Sequence, residues 1–469
     1  MNTLMRISMD RLHLLPAIAI ITLPSMLFAD TILVPSEYSS IQAAIIASTN
    51  GDTVLVDNGI YNETINFLGR EITVKNASGT ALGTIIDGGG SSGSVVSFIT
   101  GETSNTILEG FTIRNGSAGK GGGVLIENSS PVLKDCIVVG NHSTNNGGGI
   151  YVDSSDVTLE NVIVKNNSAK GSGAGIYLKF SNCLMTGGSI KDNSGNHGGA
   201  IYVKDSPSSG EFILNSVSIE GNTAVQNGGG IYSKSSFLDV EDCVFDSNAS
   251  NRGGALFGYL GGNATIVSSS FVNNSALDLG GAVDLRNEST VTFTYCEFKN
   301  NIADSDCDGV GDGAVLNTEN SPPSTLQNPT ICNNLVCDGD GDFSGVLPII
   351  IGEIFECVVG IGACCGGTAC WEMEEDNCAD GGGTWSGDAT VCASVTCESD
   401  NSFLGACCVS GNCIQSTEHS CVESGSDFHG TNVECIDIIC VSCPADVDGD
   451  GTVGVSDIIE LISVWGVCP

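Results

Sequence analysis

NGGGIYSK, residues 227–234, decides how the rest of the chain is read. Three glycines ahead of an Ile, a Tyr and a Lys suit a loop that cradles phosphate, and they suit equally one copy of a structural repeat. Related stretches stand at 121–124 (GGGV), 147–150 (GGGI), 173–176 (GAGI), 198–201 (GGAI), 253–256 (GGAL) and 280–283 (GGAV). A second column advances with them: Asn115, Asn141, Asn167, Asn193, Asn222, Asn248, Asn274 and Asn301, in steps of 26, 26, 26, 29, 26, 26 and 27 residues. A fixed period of this size means stacked units, each burying a face on its neighbours. A lone phosphate loop does not recur in this way, and that reading fails.

Within a unit, apolar and polar residues alternate in short runs. Val157 and Leu159 form one strand face, and Val162 and Val164 the next. Leu238 and Val240 with Cys243 and Phe245 repeat the pattern, as do Val291 and Phe293 with Cys296 and Phe298. Period-two runs broken by Gly, Asn and Ser indicate strands. Three short strands in about 26 residues predict an all-β chain, a parallel β-helix. Glycine pairs supply positive φ at the corners, and the recurring Asn tolerates left-handed geometry or hydrogen-bonds between rungs.

The rungs resemble the GGA-I and F-x-x-N repeats of the polymorphic outer-membrane protein family; F-x-x-N stands intact at 245–248, 271–274 and 298–301. That family ends in a membrane barrel, and no such segment is read here. The stretch ILVPSEYSSIQAAIIASTNGDTVLVDNGIYNETI resembles the start of pectin lyase-like right-handed β-helices, and that resemblance implies a right-handed parallel β-helix here. The resemblance implies a short helix, with Ile41, Ala44 and Ile45 on one face, capping the open end of the coil. It covers roughly 31–336 and implies fold more than activity, because this architecture hosts unrelated functions.

Charge bounds the partners. The chain carries 16 Lys+Arg against 55 Asp+Glu, which repels nucleic acid and anionic lipid and leaves cations as the natural counter-charge. The apolar run 14–29, preceded by Arg6 and Arg11, is read as a secretory signal peptide over 1–29, with an uncleaved anchor as the alternative. With Arg6, Arg11 and Asp10 removed, 14 basic and 54 acidic residues remain, and no later segment is apolar enough to span a membrane. The expected location is secreted or cell-surface. The 22 cysteines then point to disulfides before zinc. Cys136, Cys183, Cys243 and Cys296 fall in inward columns and are read as small buried hydrophobes. Cys364, Cys365, Cys370, Cys378, Cys392 and Cys397 recur 43 residues later as Cys407, Cys408, Cys413, Cys421, Cys435 and Cys440. The organisation read from this is a β-helix over 30–336, an acidic linker over 337–361, six-cysteine modules over 362–400 and 401–441, and a terminal unit over 442–469.

That terminal unit places Asp446, Asp448 and Asp450 at positions 1, 3 and 5 of a calcium loop. Gly451 makes the turn, Thr452 offers its carbonyl, and Asp457 stands at position 12. Alternate oxygens of this kind wrap a hard cation; the alternative is a solvated acidic turn. The loop with its following helix resembles one half of a dockerin, and that resemblance implies a cohesin-like or surface scaffold protein as partner. A full dockerin has two halves, and one is present. DSDCDGVGD at 304–312 sets Asp304, Asp306, Asp308 and Asp312 in a spacing similar to thrombospondin type 3 calcium repeats. CDGDGD at 337–342 is a further candidate. Calcium is the one cofactor expected.

After each glycine corner the first apolar residue points inward and the next outward. The outward column holds Tyr151, Tyr177, Tyr202, Tyr232 and Phe257. Two residues on comes Asp153, Lys179, Lys204, Lys234, Tyr259 and Arg286. Like charges stacked on neighbouring rungs are mildly destabilising, so the lysines call for a reason. One is a strip of Tyr177, Lys179, Tyr202, Lys204, Tyr232, Lys234 and Arg286 that binds extracellular acidic polysaccharide. The other is that the lysines relieve the field of surrounding carboxylates. No catalytic constellation is visible: the mature arginines are Arg70, Arg114, Arg252 and Arg286, and the histidines are scattered. The expected function is a calcium-stabilised, non-catalytic interaction protein. A polysaccharide lyase or glycoside hydrolase with an attachment unit, and a structural stalk or surface-layer component, are the rivals.

Overall fold

The computed structural model describes residues 29–90, 92–206, 212–306, 312–336, 341–352 and 354–356, with the backbone of six further strands between 362 and 431. The signal-peptide segment, Asp308 and the terminal calcium unit lie outside the described residues. Contacts divide the chain into two compact units, 1–356 and 357–469.

The first unit is a parallel β-solenoid, and its fold class is the all-β right-handed parallel β-helix expected from the repeat and the resemblance. One rung shows the plan. Ile150–Asp153, Asp156–Glu160, Ile163–Lys165 and Ser168–Ala169 are its strands. Each pairs in register with its counterpart one rung on, as Ile150 with Ile176 and Leu159 with Met185. These strands belong to sheets of 11, 13, 12 and 9 strands, called here the first to fourth. The expected rung had three strands. The fourth is a short polar ladder whose residues give no apolar alternation.

Inward alternation holds throughout. Val157, Leu159, Val162 and Val164 are buried, as are Leu238, Val240, Cys243 and Phe245, and Val291, Phe293, Cys296 and Phe298. At the N-terminal end, helix Ile41–Ala47 turns Ile41, Ala44 and Ile45 onto the open core. Ser40 caps it by accepting from the Ala43 N–H. The Glu63 carboxylate accepts from the N–H groups of Ile41 and Gln42 at 2.8 and 2.9 Å, placing negative charge at the positive end of the helix.

The corners depart from expectation in an informative way. Glycine takes a corner in some rungs, as Gly140 and Gly221 do before the recurring Asn, but only one corner is glycine in rung after rung, as at Gly228 with φ +67°. Its neighbour Gly229 is needed for space, since a Cβ there would stand 2.5 Å from the carbonyl oxygens of Ala249 and Gly254. The other corners put Ser154, Asn161 and Asn166 at positive φ in the rung from Ile150. The left-handed residue is therefore the one before the recurring Asn, and the recurring Asn itself points inward. Asn141, Asn167, Asn193, Asn222, Asn248, Asn274 and Asn301 are buried in a continuous ladder. Asn222 is typical. Its Nδ2 donates to Ile190 O and to Asn248 Oδ1, and its Oδ1 accepts from the N–H and the Nδ2 of Asn193. Asn115 is out of frame. It takes the left-handed corner at φ 58°, and the ladder position is Gly116, whose N–H donates to Asn141 Oδ1. At the far end Asn334 extends the ladder.

The coil also runs past residue 336. Phe343–Gly345, Ile349–Ile351 and Phe355–Glu356 pair with the preceding rung, so the segment expected as a linker supplies another turn. The pairing already begins at the end of the acidic run, where the Ala314 N–H reaches Gly341 O.

Cys136, Cys183, Cys243 and Cys296 are free and buried. Burial pushes the thiols of Cys136, Cys243 and Cys296 up to about 11. Cys136, Cys243 and Cys296 are more than apolar fillers, since each sulfur also hydrogen-bonds to backbone. Cys243 Sγ donates to Glu241 O and accepts from the Val217 N–H, and one rung on Ser269 Oγ does the same for Val267 O and the Cys243 N–H.

In the second unit the backbone forms two three-stranded antiparallel sheets of the same order. They are built from Gly362–Gly366, Ala369–Met373 and Thr384–Asp388, and from Leu404–Val409, Asn412–Thr417 and Asp427–Thr431. Cys365 stands opposite Cys370 in the first, and Cys408 opposite Cys413 in the second.

Candidate functional site

The outer face of the first sheet carries the columns singled out in the sequence. Strand register places Tyr151, Tyr177, Tyr202, Tyr232 and Phe257 on successive rungs, followed by Asp284, Asn317 and Ser344. The rings stack on one another with centroids 5.0, 5.2, 4.7 and 5.1 Å apart. They point away from the core as expected, yet all but the half-buried Tyr202 are covered. Tyr151, Tyr177, Tyr232 and Phe257 are only 3–7% exposed. Stacking accounts for the ring faces, and the fourth-sheet edge closes one side. Lys120 Nζ lies 4.8 Å over the Tyr151 ring, and His197 meets Tyr232 edge-on at 5.3 Å. Burial pushes the Tyr202 hydroxyl up to about 12 and raises those of Tyr151, Tyr177 and Tyr232 as well. A sugar cannot lie flat on rings packed this way, so the tyrosines act as a floor.

The basic column stands beside that floor. Register aligns Glu127, Asp153, Lys179, Lys204, Lys234, Tyr259, Arg286 and Glu319 on consecutive rungs. Lys179 pairs with Asp153 at 3.6 Å and Lys204 with Asp205 at 3.9 Å. Lys234 has its ammonium 5.7 Å from the Tyr259 ring centroid. Arg286 is differently placed from the lysines. Its Nε donates to Asp284 Oδ2 at 3.0 Å and its Nη1 contacts Glu319. Asp284 is fully buried and also accepts from Asn317 Nδ2. Burial drives its carboxyl above the usual range, against the pull of Arg286. With no exposed surface, Asp284 has no route to a substrate and serves to hold Arg286.

Asp153, Asp205 and Lys120 were not picked as site residues, though each shapes the strip. Their signal was the rung period itself: Lys120 precedes Asn146 by one fourth-sheet step. Of the first calcium loop, Asp304 is buried, Asp306 is exposed, and Asp312 accepts from the Gly313 N–H. Among the described residues no group of three or more His, Cys, Asp or Glu is placed to hold a metal. Asp308 lies outside them, as do Asp446, Asp448, Asp450, Thr452 and Asp457. No described helix is long and apolar enough to cross a membrane.

A long solenoid with ordered columns on one face defines the class: a right-handed parallel β-helix with an extended lateral surface. The family described as right handed beta helix region matches residues 138–277 and, in an overlapping match, 194–342. No curated protein and no solved structure matches the chain.

Proposed function

We propose that the chain is a secreted or cell-surface interaction protein, non-catalytic and calcium-stabilised, whose β-helix binds acidic polysaccharide along the Lys179, Lys204 and Lys234 column. The observation that carries the reading is three lysines in register on consecutive rungs of a chain with formal net charge −39. Charge repulsion disfavours such stacking unless an anion offsets it. The β-helix architecture supports a surface or polysaccharide-related role. The terminal loop around Asp446, Asp448, Asp450, Thr452 and Asp457 would bind calcium, and the half-dockerin-like unit would attach the coil to a cohesin-like or surface scaffold protein.

The deciding experiment incubates residues 30–469 with calcium against pectate, alginate, sulfated and neutral glycans. Retention of an acidic glycan without new reducing ends or unsaturated uronates supports the reading. Product from any substrate overturns it in favour of a lyase or hydrolase. A calcium chelator should lower the thermal midpoint of the same protein, and an unchanged midpoint removes the calcium part.

A further inference from the structure

Resting on the polysaccharide reading, the geometry points to a strip with a defined centre and a defined length: we infer that Lys234 is its main specificity-determining residue. We also infer that the ligand is a short run of a linear glycan with one carboxylate per sugar, laid parallel to the coil axis.

The four cations of the column are unequal. Lys179 faces Asp153, Lys204 faces Asp205, and Arg286 is held between Asp284 and Glu319. Lys234 has no carboxylate partner among the described residues; its ammonium lies over the Tyr259 ring. An incoming anion at Lys179, Lys204 or Arg286 competes with a carboxylate already in place. At Lys234 it does not. The surplus of positive charge therefore centres on Lys204 and Lys234, which are adjacent in register.

Both ends of the column are acidic. Glu127 and Asp153 precede Lys179, and Glu319 follows Arg286. At the spacing of parallel strands the four steps from Lys179 to Arg286 cover about 19 Å. Sugars beyond that span meet carboxylates and gain nothing. The same surroundings select charge density. A chain with several sulfates per disaccharide brings more anions than the two central lysines can offset, while the acidic protein repels the remainder. One carboxylate per ring matches one lysine per rung.

The experiment is calorimetric titration of the full secreted chain with oligogalacturonates of increasing length, and with heparin oligosaccharides in parallel. Affinity should rise with length and level off once the ligand spans about 19 Å. Lys234→Gln should weaken binding about tenfold, and Lys179→Gln, already neutralised, about twofold. Lys75→Gln, away from the column, should change nothing. Circular dichroism confirms that each variant is folded. If no oligogalacturonate of any length binds, the polysaccharide reading itself fails. If they bind but all three variants weaken equally, affinity climbs without levelling, or heparin binds tighter, the defined strip is overturned while glycan binding stands.

Discussion

Two columns in this solenoid repeat one residue type on consecutive rungs, and they obey opposite economics. Inside, Asn141 to Asn301 form a ladder in which each amide both donates and accepts, so every added rung satisfies the one before. Outside, Lys179, Lys204 and Lys234 carry donors and charge only, so each added rung adds repulsion. Repetition of Asn explains itself through the fold. Repetition of Lys needs carboxylates or a ligand from outside, and the fold supplies carboxylates to two of the three.

The inner column offers the largest effect. Asn222→Ala removes the acceptor for both the N–H and the Nδ2 of Asn193, and a donor for Asn248 Oδ1, all buried. Two stranded buried donors and a cavity should cost about 3–5 kcal/mol. Urea unfolding measures it, and a loss below about 1 kcal/mol would show that the ladder is not what holds the rungs in register.

Asp284 sharpens the comparison, because it is an outward residue with an inward residue's burial. Its folded pKa is raised, so it holds its proton better folded than unfolded. That stabilisation is complete below the unfolded value near 3.8 and is lost as pH rises through the folded one. Asp52 and Asp87 run the other way. Burial pushes both up, but for Asp52 the N–H groups of Asp30 and Thr49, and for Asp87 the amide of Asn115 with Gly89 and Arg114, outweigh it. Their contribution is full above the unfolded value and disappears as pH falls through the lowered folded one. Thermal midpoints should therefore rise as pH falls from neutral toward the carboxylate range and drop beneath it. Asp284→Asn should flatten the rise and leave the drop. An unchanged rise would assign it to Asp342, whose carboxyl is also raised by burial, or to relief of the net negative charge.

How much of this was legible follows from which signals are local. The 26-residue period was plain from the recurring Asn and glycine columns, and the inward alternation of Val157, Leu159, Val162 and Val164 from apolar spacing. The helix at Ile41–Ala47 is legible only through the resemblance to pectin lyase-like coils. The Asn frame slipped at Asn115, since Asn suits both a left-handed corner and a ladder and only neighbouring backbone tells them apart. The last rung was hidden because the acidic run ahead of Phe343 carries no GGA signature and reads as a linker. The tyrosines read correctly as outward and incorrectly as open. Their cover is their own stacking together with Lys120 and His197 of the fourth sheet, whose strands show no apolar alternation to announce them.

Cys243 gives a smaller test of what a column position demands. Cys243→Ser should be nearly neutral, because Ser269 does the same hydrogen bonding one rung on. Cys243→Val strands the Val217 N–H and should cost about 1 kcal/mol. Equal stability of the two variants would return Cys243 to a purely apolar role.

The smallest effect belongs to the outer column, and its sign is the point. Lys234→Gln removes a charge flanked by Lys204 on the previous rung and by no described carboxylate of its own. Exposed like-charge contacts are worth a few tenths of a kcal/mol and are screened by salt. The variant should therefore be as stable as the parent, or slightly more so, at low ionic strength, and the difference should vanish at high salt. If it is instead less stable at low salt, Lys234 is relieving the field of more distant carboxylates. The column would then be explained by the protein's own charge, with no anion needed.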